Sequence, residues 1–213
     1  MKKLLSIILI SVSSISFAAC DKLYPGGKPI HVPDTTELCN TFYVSLFNEK
    51  QKAVILTSEL IAKDSYMTRI NHFKPDLRLV NGPVNSDYKN SKYDRGHMVP
   101  AGDSSTKEEM SDTFLLTNMT PQEPSLNRVS WNHMEQHIRK KVDSSKSSAN
   151  ILTIAIYNKP SRIGPGIPVP AAYWKIVYLK DSTLYYFAEN KPNALVKPYS
   201  NVDVNKIINT QKF

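Results

Sequence analysis

The chemistry of this chain is expected to centre on His97, the last residue of the run Asp94-Arg95-Gly96-His97. An imidazole gains and loses its proton near neutral pH, which suits it to general acid–base work. Arg95 adds a planar fork of donors matched to phosphate. Gly96 lets the backbone approach a ligand closely or take a positive φ, and Asp94 can orient a neighbour. A histidine alone is more often structural than catalytic. An acid, a base and an imidazole around one glycine, however, suit phosphodiester chemistry. Further along, Asn127 and Glu135 lie eight residues apart. At about 100° per residue of helix they end about 80° from one another, on one broad face. A neutral amide that leaves room for water suits magnesium, which keeps much of its hydration shell. Taken by themselves, Asn127 would serve equally as a helix cap and Glu135 as a solvated charge. His133 and His137 have the i, i+4 spacing that can bind zinc. Their setting, His-Met-Glu-Gln-His, lacks the order found in zinc proteases. His133 also stands about 240° round the helix from Asn127, so the two histidines are read as an ordinary surface pair.

The motif resembles the DRGH signature of the DNA/RNA non-specific endonucleases, the ββα-metal group that includes secreted bacterial sugar-nonspecific nucleases and mitochondrial endonuclease G. The likeness extends well beyond four letters. Asp87-Tyr88 resembles the family's lead-in, and Met98-Val99-Pro100-Ala101 its apolar-x-Pro-Ala continuation. Thr113 to Gln122 resembles its TF-x-x-(S/T)N-x-(T/S)PQ segment, and Leu126-Asn127, Trp131 and Glu135 its helix. Pro170-Ala171-Ala172-Tyr173-Trp174-Lys175 resembles its Pro-x-x-(F/Y)-x-K segment. Two departures stand out. The family's Gly-Pro pair is missing from Thr153 to Tyr157, and its closing Thr-Gly stretch is missing from Val202 to Phe213.

What the resemblance implies is specific. His97 is the general base, and Asn127 is the one protein side chain that binds the metal directly. Glu135 hydrogen-bonds water on that metal. Arg95, Asn118 and Arg139 lie near the phosphate or support the site. The metal is Mg2+ or another divalent cation such as Mn2+, the substrates are DNA and RNA held by their phosphate backbones, and the products carry 5′-phosphates. Groups that address phosphate and metal do not read base edges, so little sequence preference is expected. Some members of the family dimerise, which leaves a homodimer open. The competing reading is a catalytically inactive, basic, nucleic-acid-binding surface protein.

Positioning these residues requires an α+β fold built on mainly antiparallel sheet, with a ββα-metal core and one long catalytic helix. Thr41 to Phe47 and Ala53 to Thr57 read as a hairpin, and Ser58 as the cap of a short helix through Lys63. Residues 64–92 carry turn formers and read as irregular. Phe114 to Asn118 reads as a strand. Ser125 reads as the cap of a helix from Leu126 to about Val142. Ile151 to Tyr157, Ala172 to Leu179 and Leu184 to Ala188 read as strands, the last two joined through Asp181-Ser182. Val202 to Phe213 resembles the family's final helix.

The length of 213 residues allows one ordinary domain. The N-terminus, with Lys2, Lys3, an apolar stretch and small residues up to Ala18, reads as an export signal over residues 1–18. Residues 19–213 then form a single nuclease domain, secreted or periplasmic. Removal of the signal takes two lysines and no acid from a formal charge of +8, leaving about +6; such a surface favours polyanions. Cys20 and Cys39 are the only cysteines, an even count that suggests one disulfide in an exported chain. The alternative is lipid attachment at Cys20, which leaves Cys39 free. No other apolar run is long enough to span a bilayer.

Overall fold

The computed structural model describes residues 20–62 and 68–213. The expected export signal, residues 1–18, lies outside them. From Cys20 two 3-10 turns lead into β1 (Thr36–Cys39), β2 (Tyr43–Asn48) and β3 (Ala53–Ile61). From residue 68 a largely irregular stretch with one 3-10 turn, Asn85–Tyr88, leads to β4 (Asp94–His97), α1 (Lys107–Thr113) and β5 (Met119–Gln122). A π-helical turn, Leu126–Trp131, then runs straight into α2 (Asn132–Ser145). The second half supplies β6 (Ala149–Ile156), the short pair β7 (Arg162–Ile163) and β8 (Ile167–Pro168), β9 (Ala172–Tyr178), β10 (Thr183–Glu189), β11 (Lys197–Tyr199) and α3 (Val204–Ile208).

Seven strands make one sheet in the order β1-β2-β3-β6-β9-β10-β11, every neighbouring pair antiparallel. β4 and β5 form a separate antiparallel pair. With the helix that follows they make the expected ββα unit on an α+β frame. The long helix docks through Met134, Ile138 and Val142, spaced by four and all buried in the cluster that also takes in Leu56, Ile151, Leu152 and Val177 of the sheet. That spacing is one stripe of an α-helix, and it leaves Glu135 and Arg139 one step round from the buried edge.

Several local readings change. Ser58 does not start a helix: β3 continues to Ile61, with Ser58 paired to Leu152 and Glu59 to Ile151. Both residues are fully buried; the Ser58 hydroxyl donates to the Leu23 carbonyl at 2.6 Å. Polar residues placed inside a central strand by tertiary contacts look, in sequence, like the polar start of a helix. Second, Leu116–Asn118 form a 3-10 turn and the strand begins at Met119. Third, Ser125 donates no cap to the long helix. The Glu123 carboxylate does that work, accepting from the Leu126 amide at 3.0 Å and from the Ser125 hydroxyl. The terminal helix is confined to Val204–Ile208. Helix α1 was not expected, although Thr106 and Glu109 form a reciprocal capping box at its start.

Cys20 and Cys39 are joined by a disulfide. The bridge closes a loop of about twenty residues, worth about 3 kcal/mol in the loop-entropy account, and leaves no Cys20 thiol for a lipid. Leu23 and Tyr24 of the bridged segment are buried, so the arm is packed as well as tethered. Among the described residues no helix is long and apolar enough to cross a membrane.

Candidate active site

The whole Asp94-Arg95-Gly96-His97 run is β4, paired in register with Gln122, Pro121, Thr120 and Met119 of β5. Gly96 is needed here for space and not for a positive φ. A β-carbon at this position would lie 2.3 Å from Gln122 Oε1 and 2.4 Å from its Cβ. Gly96→Ala is therefore expected to destabilise the protein by about 1–3 kcal/mol, the usual range for overpacking, with a lower urea midpoint as the measurement. An unchanged midpoint would show that Gln122 can swing aside.

One strand places Arg95 and His97 two residues apart, on the same face. Both meet Phe73: the Arg95 guanidinium lies 3.9 Å over its ring, and the His97 ring is 5.8 Å from it, centre to centre. His97 also stands edge-on to Phe114 at 5.0 Å. The residue is half-buried, and its Nε2 is shielded from solvent and has no hydrogen-bond partner. Burial, with the Arg69 and Arg95 charges beside it, pushes the imidazole down to about 3. Arg95 is steadied by Asn85, whose Oδ1 accepts from Nη1 at 2.8 Å.

Behind this strand Asn118 fixes the backbone. Its amide accepts from the Val99 N–H at 3.0 Å and donates to the Val99 and Thr113 carbonyls at 2.9 Å each. It is fully buried and does not line the cleft. Asn118 thus ties the backbone after His97 to the end of α1.

The helix supplies the opposite wall. Asn127 lines the cleft, and its Nδ2 donates to Asp94 Oδ2 at 2.9 Å, which engages the amide nitrogen. Asp94 is also gripped by Arg128 at 2.6 Å. Burial works against ionisation of Asp94, but the hydrogen bonds from Arg128 and Asn127 outweigh it and hold the carboxyl below its usual range. Glu135 and Arg139 follow on α2. Arg139 pairs with Asp103 at 2.6 Å. Glu135 is largely buried, and its Oε1 has no hydrogen-bond partner. Burial pushes its carboxyl up to about 7 against the pull of Lys175 and Arg139.

The π-helical turn changes the angular count between Asn127 and Glu135. A π turn absorbs one residue beyond α-helical winding, so eight residues turn through roughly the angle of seven, leaving about 20° in place of about 80°. His133 and His137 are exposed on the outside of the helix, and among the described residues no group of three His, Cys, Asp or Glu side chains could hold a metal ion.

His97, Arg95, Asn127, Glu135 and Arg139 thus line one open cleft of about 850 Å³. Arg69, Asn71 and Arg128 line it too and were not singled out from the sequence. Arg128 could have been found as the helix neighbour of Asn127. Arg69 lies in the irregular stretch with no motif around it, and carries no signal of its own.

A sequence profile for DNA/RNA non-specific endonucleases matches residues 27–211. A nuclease of Nostoc sp. is 38% identical over 122 residues, covering 54% of this chain and 43% of its own. The mitochondrial nuclease 1 of Schizosaccharomyces pombe is 31% identical over 183 residues, covering 76% of this chain and 56% of its own. The chain spans about half the length of these curated relatives. Among solved structures, an EndoG/EndoGI complex aligns with TM-score 0.67 at 23% identity, over 80% of this chain and 78% of that one.

Proposed function

Because this chain belongs to the DNA/RNA non-specific endonuclease family, we propose that residues 19–213 act as an exported, metal-dependent endonuclease that hydrolyses phosphodiester bonds of DNA and RNA with little sequence preference. The observation that carries this reading is the convergence of His97, Asn127 and Glu135, with Arg69, Arg95 and Arg139, on one cleft.

The donors in that cleft fit a hard divalent cation. The Asn127 amide and the Glu135 carboxyl, both lining the cleft, offer hard oxygen ligands or water acceptors, and so sparse a set suits Mg2+, or Mn2+, that keeps most of its water. Asn127 would hold the cation and Glu135 would orient its water. When bound, the cation supplies positive charge at the phosphate and at the leaving 3′-oxygen.

The rest of the chemistry belongs to the side chains that line the cleft. His97 takes a proton from a water molecule, whose oxygen forms a bond to phosphorus as the P–O3′ bond breaks in line and the departing 3′-oxygen takes up a proton from solvent. The products carry a 5′-phosphate and a 3′-hydroxyl. Arg95 and Arg69 receive the negative charge that gathers on the phosphate oxygens. The same two guanidinium groups depress the His97 imidazole, and a bound phosphate offsets their charge, so substrate raises the basicity of His97 where the proton must be accepted. The disulfide fits an oxidising compartment, which supports a secreted or periplasmic location.

Incubation of the purified chain with supercoiled plasmid and with RNA, with Mg2+ and with chelator, tests the reading. Both polymers are expected to fall to short 5′-phosphorylated fragments with Mg2+ and to survive with chelator. Cutting that resists chelation, or no cutting in any divalent metal, refutes it.

A further inference from the structure

Beneath the cleft lies a charge that the reaction just described does not use. Lys175, on β9, has a side chain only 1% exposed. Its ammonium is 3.6 Å from Glu135 Oε1 on α2 and 3.9 Å from Glu59 Oε1 on β3. It donates to the Met98 carbonyl, one residue past His97, at 3.3 Å, and sits 5.6 Å from the Trp131 ring in the π-helical turn. One ammonium therefore touches the strand end that carries His97, the turn that carries Asn127 and the helix that carries Glu135.

The surrounding charges do not balance by themselves. Glu59, Asp103 and Glu135 are three carboxyl groups against two cations, Lys175 and Arg139. Arg139 is committed to Asp103 at 2.6 Å. Burial and the neighbouring Asp103 push the Glu59 carboxyl above its usual range, and Glu135, at 3.6 Å against 3.9 Å, is the nearer carboxyl partner of Lys175. A buried carboxylate deprived of its counter-ion is strongly disfavoured, and without Lys175 the Glu135 group would lose both its charge and its anchor.

We propose that Lys175 is a positioning residue for phosphodiester cleavage: its buried ammonium holds the Glu135 carboxyl in the cleft wall, while Glu59 braces that ammonium from the sheet. The proposal rests on the nuclease reading above. It gives a role to the last residue of the Pro170–Lys175 segment, which touches no part of the open cleft.

A double-mutant cycle tests it, using Lys175→Met, Glu135→Gln and the pair together, each assayed on plasmid DNA in Mg2+ and each melted in parallel. Lys175→Met is expected to lower kcat by about 10–100-fold, the usual cost of losing a group that orients a metal-site residue, with KM within threefold. The double variant is expected to be no slower than Glu135→Gln alone, because the two side chains act as one unit. If the losses multiply, or if Lys175→Met keeps wild-type kcat, the proposal is wrong. Should Lys175→Met fail to fold, the double variant still decides the matter. It removes both members of the buried pair and is tolerated far better than a lone buried charge. Its kcat matching that of Glu135→Gln supports the proposal, and a lower kcat overturns it. Failure of the wild-type chain to cut at all would instead remove the nuclease reading, and the positioning role with it. Coupling seen in the melts alone would then mark the pair as purely structural.

Discussion

His97→Ala is expected to slow cleavage of both plasmid DNA and RNA by about 10²–10⁴-fold, the range that general-base help supplies, while binding of uncut DNA changes little. Arg69, Arg95 and Arg139 remain in the cleft, so the phosphate contacts survive the substitution. Because His97 packs edge-on against Phe114, the alanine variant loses some packing; His97→Asn keeps more of the volume and is expected to be just as slow. Quantified cleavage rates beside gel-shift affinities separate the outcomes, and equal cutting by either variant would remove His97 from the chemistry. A second signature concerns acid. With the folded imidazole held at about 3 and the unfolded one near 6.5, the unfolded chain binds the extra proton throughout that window. The contribution of His97 to stability is thus fully present above about pH 6.5 and drains away as pH falls toward 3. The melting-temperature gap between wild type and His97→Asn is expected to shift against the wild type as buffers go from pH 7 to pH 4.5.

Asn127→Ala is expected to cost at least about a hundredfold in activity at fixed Mg2+, since even groups that only orient a metal ligand are worth 10–100-fold. A more telling partner is Asn127→Asp. A carboxylate binds hard cations better than an amide, yet this one would face Asp94, which now accepts from Asn127 Nδ2 at 2.9 Å. The substitution replaces a donor by a like charge and turns the site against itself, so Asn127→Asp is expected to fail as well. Melting with and without Mg2+ gives a readout apart from turnover: a cation that binds only the folded chain raises the melting temperature, and both variants should lose that rise. If they keep the Mg2+ response of the wild type, the cation is held elsewhere.

The parts of this site legible in the sequence are those carried on continuous elements. Asp94 to His97 form one strand, and Asn127, Glu135 and Arg139 ride one helix, so spacing along the chain maps onto direction in space. Arg69 was invisible because it reaches the cleft from an irregular stretch, where spacing fixes no direction. The same limit explains the errors in the fold. Ser58 and Glu59 looked like a helix start because polarity in a strand interior is set by distant partners, here the Leu23 carbonyl and the Lys175 ammonium. Ser125 looked like a cap because local chemistry allowed it, while Glu123 two residues earlier took the Leu126 amide. β2, β6, β9 and β10 were located to within a few residues, since β6 and β9 are long apolar runs bounded by turn formers, whereas the short edge strands β1 and β11 carry no apolar alternation and were not expected.

The widened turn at Leu126–Trp131 bears on how such helices are compared and rebuilt. An extra residue stored there leaves the azimuth of everything downstream as if it had never been added. A chain with one residue fewer, wound as plain α-helix, would aim its equivalents of Asn127 and Glu135 in the same directions. Counting letters between those two side chains is therefore a poor guide to ancestry or function in this segment. Excision of Val129, half of whose surface already faces solvent (52%), is the natural trimming site for anyone grafting the helix onto another scaffold.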